Sequence, residues 1–260
     1  MISAKNKKYR KTYLIKSRYR FFRRIRFRIT RLILALFLRT WVREVIGIEN
    51  IVLDSPAIFV SNHLSYCDFL IIGSLLRKYI VFVANKEINQ TFFFGWFTKV
   101  NHVVYVDRDN PGFSFFKDIL RHLEKGRSIV IYPEGTRSRT GKMFKPKEGF
   151  VKLAIKARVP IIPVAMKGTY EILPPHRFIP RLKRCSVIIG ERIFISPENN
   201  IFKDIFLRRK NSGKSTNLTK EETKEIAFRI MDRIRVLANE DWDESALEEI
   251  SRFQRRHKTS

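Results

Sequence analysis

The sequence predicts an α/β fold: a single domain with a central mixed sheet flanked by helices, preceded by a basic amphipathic helical segment. Strand-like apolar runs alternate with helix-like patterns from about Ile51 to Pro197, which is typical of α/β proteins. The chain has 260 residues, enough for one sizeable core, because domains commonly contain about 100–200 residues. We therefore expect an N-terminal segment at 1–50, a core at 51–200 and a C-terminal part at 201–260.

The composition restricts the class of partner. Lys and Arg total 52 against 25 Asp and Glu, so the net charge of +27 implies nucleic acid, an acidic membrane surface or a phosphorylated substrate. The 22 Phe residues favour contact with lipid, since nucleic-acid binding does not need them. The two cysteines, Cys67 and Cys185, have no metal-type spacing and form no disulfide framework, which fits a reducing cytosol and predicts no metal site.

The segment at 1–50 is basic and rich in aromatic residues. Its most apolar piece, Leu32 to Leu38, is far shorter than the roughly 20 residues that span a bilayer. A cleaved signal peptide is disfavoured, because Arg39-Thr40-Trp41 offers no small-residue cleavage site. We expect a membrane-interfacial helix with Trp41 and several Phe side chains in the headgroup layer and the basic face on anionic lipid. The alternatives are a solvated basic arm or one that binds RNA.

The core elements follow from hydrophobic patterning. The predicted strands are Ile58–Val60, Ile80–Val83, Val103–Val106, Ile129–Tyr132, Ile161–Ala165 and Val187–Ile189. Helices are predicted at Asp68–Arg77, Phe113–Lys125 and Phe150–Ala157, the second closed by Gly126. The aromatic run at 92–97 has two equally good interpretations. It packs in the core, or it lines an acyl-chain groove or contacts the membrane.

The C-terminal part is predicted to contain a flexible stretch and then a helix. The polar stretch from Leu207 to Lys220 indicates a flexible excursion. Thr219 and Glu222 form a capping box for the helix that follows. Its apolar positions should pack on the core, and they are Ile226, Ile230, Ile234 and Leu237.

A histidine and a carboxylate lie five residues apart where a predicted strand becomes a helix. His63 could take a proton from a hydroxyl, and Asp68 could bind the other ring nitrogen and stabilise the imidazolium. The alternative is structural: Ser65 caps the helix, Asp68 is its capping-box partner and His63 is a plain loop residue.

Three further segments carry polar residues at the ends of predicted strands. Tyr132 to Ser138 follows a strand and places Glu134 and Arg137 on a tight loop, at the strand end where α/β proteins bind ligands. Asp107-Arg108 ends another strand, and two prolines flank the apolar strand at 159–164. Taken singly, each also fits a simple turn or a surface ion pair.

Four segments, taken in order, resemble the four-block signature of the glycerolipid acyltransferases, the family that contains the 1-acyl-glycerol-3-phosphate acyltransferases. The segments are NHLSYCD, VYVDR, YPEGTRS and VPIIPV. The resemblance runs from roughly Ile51 to Glu191. It implies a membrane-associated enzyme that moves a fatty acyl group from a thioester of coenzyme A or acyl carrier protein to a glycerol hydroxyl, that of 1-acyl-glycerol-3-phosphate, giving phosphatidic acid. It also implies phospholipid biosynthesis at the cytoplasmic face of the membrane, without a cofactor.

The resemblance assigns roles to individual residues. His63 would be the catalytic base and Asp68 its partner. The residues implied to bind substrate are Lys86, Arg108, Glu134, Gly135, Thr136 and Arg137. Two residues depart from the family pattern: His102 stands where the second block usually opens with glycine, and Tyr132 replaces a phenylalanine. We expect His102 to be a loop residue.

Several alternatives stay open at this point. A hydroxyl activated by His63 can attack a thioester directly, with oxyanion donors from backbone N–H groups near His63, whereas Cys67 is a rival nucleophile. The acceptor could be another lysolipid or a non-phosphorylated group. A non-catalytic membrane- or nucleic-acid-binding protein is the alternative of another class, although the ordered blocks lead us to expect no nucleic acid.

Overall fold

The computed structural model describes residues 32, 36, 38–51, 54–76, 80–85, 102–106, 112–211, 218–244, 246–248 and 251. Several predictions lie outside these residues: the substrate-binding roles of Lys86 and Arg108, the aromatic run at 92–97 and nearly all of the basic segment before residue 38.

Within the described residues, seven strands and six bounded α-helices form the fold, together with a 3₁₀ helix at Ile48–Asn50 and further helical residues at 38–41 and 246–248. The strands are β1 (Val42–Ile46), β2 (Ile58–Ser61), β3 (Ile80–Asn85), β4 (His102–Val106), β5 (Ser128–Ile131), β6 (Ile161–Lys167) and β7 (Cys185–Ile189). The helices are α1 (Cys67–Leu75), α2 (Phe113–Glu124), α3 (Gly149–Ala157), α4 (Thr169–Ile172), α5 (Lys203–Asn211) and α6 (Lys220–Ala238). All six predicted strands and all four predicted helices are present, with ends shifted by up to about two residues.

The strands form one sheet in the order β1-β7-β6-β2-β5-β3-β4. Strand β7 runs antiparallel to β6, and every other neighbouring pair is parallel, so the predicted mixed sheet is confirmed. The central strand β2 pairs with β5 on one side and β6 on the other. The carboxyl ends of these three parallel strands therefore meet at one edge of the sheet, where ligands bind in open α/β folds.

Both faces of the sheet are buried, as expected for parallel strands covered by helices. On β2, Ile58 and Val60 face the cluster that contains residues of α2, α3 and α6, whereas Phe59 faces the cluster that contains residues of α1. Side chains alternate in this way because the strand period is two residues. The long helix α6 buries Ile226, Ile230 and Ile234, as predicted.

Two predicted helix ends are confirmed. Gly126 has φ 72, and the N–H groups of Gly126 and Arg127 donate to carbonyls of the last turn of α2. Thr219 and Glu222 form the predicted capping box at the start of α6, with both reciprocal hydrogen bonds present.

Four details differ from the predictions. Strand β1 lies inside the segment assigned to 1–50 and pairs with β7, so the sheet begins before residue 51. The expected flexible stretch begins with helix, since α5 runs to Asn211 and bonds to α6 through Arg208 and Arg209. Leu237 is exposed and Ala238 is buried in its place. His102 belongs to β4, opposite Val81 in β3, and is not a loop residue.

The end of the N-terminal segment packs against the domain. Residues 38–41 are helical, and Leu38 and Trp41 contact the core cluster that contains α1. The indole N–H of Trp41 donates to the carbonyl of Arg181 at 2.8 Å. Trp41 is thus held against the protein, and the interfacial role expected of it stays a prediction. Among the residues that the structure describes, no helix has the length and apolar character needed to cross a membrane.

Candidate active site

His63 and Asp68 form the hydrogen-bonded pair that the sequence predicted. His63 Nδ1 lies 2.9 Å from Asp68 Oδ2, with 18% of the His63 side chain exposed and Asp68 fully buried. A carboxylate only accepts hydrogen bonds, so Nδ1 carries the proton and Nε2 carries the lone pair. The site can therefore accept a proton at Nε2 and hold the resulting imidazolium beside a fixed negative charge.

The same carboxylate also organises the start of α1. Asp68 Oδ2 accepts the N–H groups of Leu64 and Ser65, each at 2.8 Å. The hydroxyl of Ser65 accepts the N–H of Cys67 at 3.0 Å and donates to the carbonyl of Leu173 at 2.7 Å. The N-cap of α1 is Tyr66, without a side-chain cap hydrogen bond, so the capping box offered as the alternative is not formed, and Ser65 and Asp68 instead hold the turn before the helix.

Glu134 joins the two signature loops through the backbone. One carboxylate oxygen accepts the N–H of His63 and the other accepts the N–H of Phe144, both at 2.8 Å. The carbonyl of His63 accepts the N–H of Ser138 at 2.8 Å. Burial raises the pKa of the Glu134 carboxyl to about 8, although both backbone donors favour its ionised form. Glu134 thus binds the backbone N–H of His63, and Ser138 binds its carbonyl. This geometry fits a role for Glu134 in positioning the histidine.

Asn62 ties the histidine loop to the neighbouring strand β6. Its side-chain amide donates to the carbonyl of Met166 at 2.9 Å and accepts the N–H of Met166 at 2.8 Å. This pair of bonds continues the β2–β6 ladder by one step beyond Ser61, with a side chain in place of a backbone. The loop that carries His63 is therefore held by β5 and β6 at once.

Tyr132 supplies an aromatic wall beside the imidazole. The two rings stack with centroids 4.1 Å apart and planes inclined by 21°. Burial, and then the charge of Asp68, raises the pKa of Tyr132 well above its usual value, so the hydroxyl stays neutral. Within the part of the chain that the structure describes, this buried hydroxyl has no hydrogen-bond partner. The ring alone explains why an aromatic residue is suited to this position.

Arg137 lies on the same loop as Glu134. Its guanidinium carbon is 3.4 Å from the ring centroid of Tyr66, a cation–π contact. One of its terminal nitrogens, Nη1, is buried and has no hydrogen-bond partner among the described residues. A buried guanidinium N–H group of this kind can donate a hydrogen bond to an anionic oxygen of a ligand.

Gly135 and Thr136 complete the turn between Glu134 and Arg137. Gly135 has φ 72, and its N–H donates to the carbonyl of Tyr132 at 3.0 Å. A side chain at this φ would be strained, so glycine is required by the turn. Thr136 is exposed. Both residues shape the loop that brings Glu134 and Arg137 to the histidine.

Two chemical alternatives lose support from this geometry. Cys67 is fully buried, and burial raises the pKa of its thiol to about 12, so almost no thiolate nucleophile exists at neutral pH. The backbone N–H groups of His63, Leu64, Ser65 and Cys67 already donate inside the site. These four groups are therefore occupied and do not serve as ready oxyanion donors.

The sequence named most of these residues but not all of their contacts. Residues 61–68 and 132–138 come together as predicted. The bonds from Asn62 to Met166 and from Ser65 to Leu173 join residues more than 100 positions apart, and no local pattern signals them. The stack of Tyr132 on His63 likewise depends on β2 and β5 being neighbours.

The chain resembles known acyltransferases in sequence. The sequence model of a family described as Acyltransferase matches residues 42–167. A 1-acyl-sn-glycerol-3-phosphate acyltransferase of Cocos nucifera is 37% identical over 120 residues, which cover 45% of this chain and 39% of that protein. A protein of the same name from Bacillus subtilis is 34% identical over 121 residues, covering 46% of this chain and 60% of that protein.

A solved structure has the same fold. It is the crystal structure of the 1-acyl-sn-glycerophosphate acyltransferase PlsC from Thermotoga maritima, with a TM-score of 0.58 and 24% identity, covering 94% of this chain and 86% of that one. The chain spans less than half the length of the plant relatives that it matches, 39% of the Cocos nucifera protein and 42% of a protein of the same name from Limnanthes douglasii. The structural likeness supports the fold, and the range matched by the family model, 42–167, includes both loops that form the site.

Proposed function

We propose that this chain, whose residues 42–167 match the Acyltransferase family model, is a glycerolipid acyltransferase that transfers a fatty acyl group from acyl-CoA or acyl carrier protein to the free hydroxyl of 1-acyl-glycerol-3-phosphate. The product is phosphatidic acid, an intermediate of phospholipid biosynthesis. The observation that carries this proposal is the His63–Asp68 pair, bonded at 2.9 Å and fixed by the loop that bears Glu134.

The reaction needs one proton acceptor and one activated acyl donor. The acceptor hydroxyl gives its proton to Nε2 of His63 while its oxygen attacks the carbonyl carbon of the thioester. The tetrahedral intermediate then collapses, the carbon–sulfur bond breaks and the thiolate takes the proton from the imidazolium. The products are an ester and a free thiol. Asp68 stabilises the imidazolium between the two proton transfers.

In this proposal the phosphate of the acceptor binds on the side of the site where Arg137 lies. The support is the buried Nη1 of Arg137, which has no hydrogen-bond partner among the described residues and belongs to a planar donor suited to phosphate oxygens. By resemblance, Arg108 and Lys86 contribute to the same subsite, and both lie outside the described residues. Glu134 and Gly135 act by positioning His63 and Arg137 on their loops.

Membrane attachment is assigned to the segment at 1–50. Its basic and aromatic residues suit an interfacial contact with anionic lipid, and the proposed location is the cytoplasmic face of the membrane. Removal of residues 1–28 should weaken binding to anionic vesicles and lower activity on acceptor embedded in a membrane. Activity on acceptor dispersed in detergent should survive better. Equal loss in both assays would contradict this role.

The activity can be tested directly by product analysis. Purified protein in detergent is incubated with acyl-CoA or acyl carrier protein and a panel of lysolipids that differ in headgroup, and products are identified by mass. We expect phosphatidic acid from 1-acyl-glycerol-3-phosphate, formed about 10²–10⁴-fold more slowly by the His63→Ala variant. Turnover of another lysolipid alone would reassign the acceptor. The absence of any thioester-dependent product would reject the acyltransferase proposal.

A further inference from the structure

The loop from residue 174 to residue 184, the basic-apolar loop, exposes large apolar side chains. It connects α4 to β7, and the solvent-exposed fractions are 92% for Phe178, 79% for Ile179 and 86% for Leu182. Single exposed apolar residues are common on proteins. Three of them within five positions form a local patch, and such patches mark interaction surfaces.

Basic residues surround these apolar side chains. Arg177, Arg181, Lys183 and Arg184 lie in the same loop, and all four are exposed. The sequence between Leu173 and Cys185 contains no Asp or Glu. A short segment that combines exposed apolar side chains with an excess of positive charge has the chemistry of an interfacial membrane contact.

The backbone of the loop is bonded to the domain at Arg181, between the exposed side chains of Ile179 and Leu182, and just before the loop at Leu173. The N–H of Arg181 donates to the carbonyl of Ile172 at 2.8 Å, and the carbonyl of Arg181 accepts the indole N–H of Trp41 at 2.8 Å. The preceding Leu173 accepts the hydroxyl of Ser65 at 2.7 Å. The loop thus projects from a rigid base that is bonded to the histidine loop on one side and to the N-terminal segment on the other.

The position of the loop also suits a membrane contact. Strand β7 begins beside the carboxyl end of β6, with Ser186 opposite Lys167. The loop therefore lies at the edge of the sheet that carries His63. A surface that touched the bilayer here would bring the active site to the lipid interface without any crossing of the membrane.

We propose that the basic-apolar loop is a second membrane contact, separate from the segment at 1–50. Phe178, Ile179 and Leu182 enter the interfacial layer of an anionic membrane. The flanking arginines and lysine bind the lipid headgroups. This contact does not depend on the acyl-transfer reaction, so it can be tested without substrate and can fail while the enzymatic proposal stands.

The direct test places an environment-sensitive fluorophore on the full chain. Leu182→Cys adds one exposed thiol, whereas Cys67 and Cys185 are buried and burial raises the pKa of each thiol to about 12, so labelling is selective. Ile155→Cys is the matched control. Ile155 is 41% exposed near the end of α3, which runs towards the sheet edge where β6 begins, opposite the site.

The labelled proteins are mixed with vesicles of phosphatidylcholine containing phosphatidylglycerol. We expect the fluorophore at 182 to show a blue-shifted and brighter emission on vesicle binding, and the fluorophore at 155 to show no change. If the protein sediments with the vesicles while the fluorophore at 182 keeps its aqueous emission, the loop does not enter the membrane. Failure of the labelled protein to bind the vesicles would also reject the proposal.

A second set of variants tests the contribution of charge. Arg177→Gln combined with Lys183→Gln should weaken vesicle affinity by about tenfold, because each basic residue near an anionic surface contributes to attachment. Lys125→Gln combined with Lys156→Gln removes the same charge from exposed positions outside the loop. Equal affinities for the two double variants would show that charge in the loop has no special role and would overturn that part of the proposal.

Discussion

The histidine loop at 61–68 and the basic-apolar loop at 174–184 lie at the same edge of the sheet but differ in how they are held. In the histidine loop, side chains and backbone groups are bonded to β6, to the Glu134 loop and to each other. In the basic-apolar loop the backbone of Arg181 is bonded to the domain, whereas the large apolar side chains on both sides of it are exposed. In the proposed function the first loop fixes the position of a proton acceptor, and in the proposed membrane contact the second loop presents side chains to lipid.

The difference predicts two kinds of variant. Substitutions in the histidine loop or its supports should change turnover even when the substrates are dispersed in detergent. Substitutions in the basic-apolar loop should change only behaviour at a membrane. Four substitutions at the site, in order of decreasing effect, test the first half of this comparison.

Asp68→Asn should give the largest loss among them. Asp68 Oδ2 accepts three donors, from His63, Leu64 and Ser65, and an amide that replaces the carboxylate also removes the charge beside the imidazole. We expect kcat to fall by about 100-fold or more. Thermal unfolding should also show a loss of about 1–3 kcal/mol. Asp54→Asn, at an exposed position, is the control and should change neither quantity.

Arg137→Ala should act on the acceptor. If its guanidinium binds the phosphate, the KM for 1-acyl-glycerol-3-phosphate should rise by about 10- to 100-fold, with the KM for the acyl thioester unchanged. Arg137→Lys should restore only part of the affinity, because an ammonium is not a planar fork. Arg192→Ala removes an exposed arginine and serves as the control. Equal effects on the two substrates would place the phosphate elsewhere.

Glu134→Gln should distinguish positioning from substrate binding. The site presents two N–H donors, from His63 and Phe144, and an amide offers only one acceptor oxygen. We expect kcat to fall by about tenfold with little change in the KM for the acceptor, because a displaced base slows the chemical step. Glu191→Gln, at an exposed position, should have no effect. A raised acceptor KM at normal kcat would mean that Glu134 contacts substrate.

Tyr132→Phe should have the smallest effect on activity of the four substitutions. Unlike Asp68→Asn, it should make the protein more stable. The hydroxyl is buried without a partner among the described residues, so its removal should raise the free energy of unfolding by about 1 kcal/mol. Activity should stay near that of the unmodified protein, since the phenylalanine ring keeps the stack on His63. Thermal unfolding and the standard assay check both points. A large loss of activity would reveal a chemical role for the hydroxyl.

The sequence predicted the fold and the pairing of His63 with Asp68 because both depend on local patterns. Apolar runs locate strands and helices, and a spacing of five residues across a strand–helix junction brings the two side chains together. The supports of the site depend on strand order. Glu134 reaches the backbone of His63 only because β5 lies beside β2, and Asn62 reaches Met166 only because β6 lies on the other side.

The two elements that differ from the prediction, β1 and α5, also depend on contacts with distant parts of the chain. Strand β1 was missed because charged side chains interrupt its pattern, and it forms as an edge strand through pairing with β7. The basic residues that indicated flexibility after Phe206 are held in α5 by carboxylates of α6, including the pair of Arg209 with Glu222. Ion pairs between distant segments stabilise a helix that local composition does not favour.

The central claim is that His63 acts as the base for direct acyl transfer. The most direct test measures acyl transfer by His63→Ala and Cys67→Ala in the same detergent assay, with thermal unfolding as the check on folding. We predict that His63→Ala loses about 10²–10⁴ in rate, while Cys67→Ala stays within about tenfold of the unmodified protein. A folded His63→Ala variant within tenfold of the unmodified rate, or a Cys67→Ala variant without activity, would contradict the account.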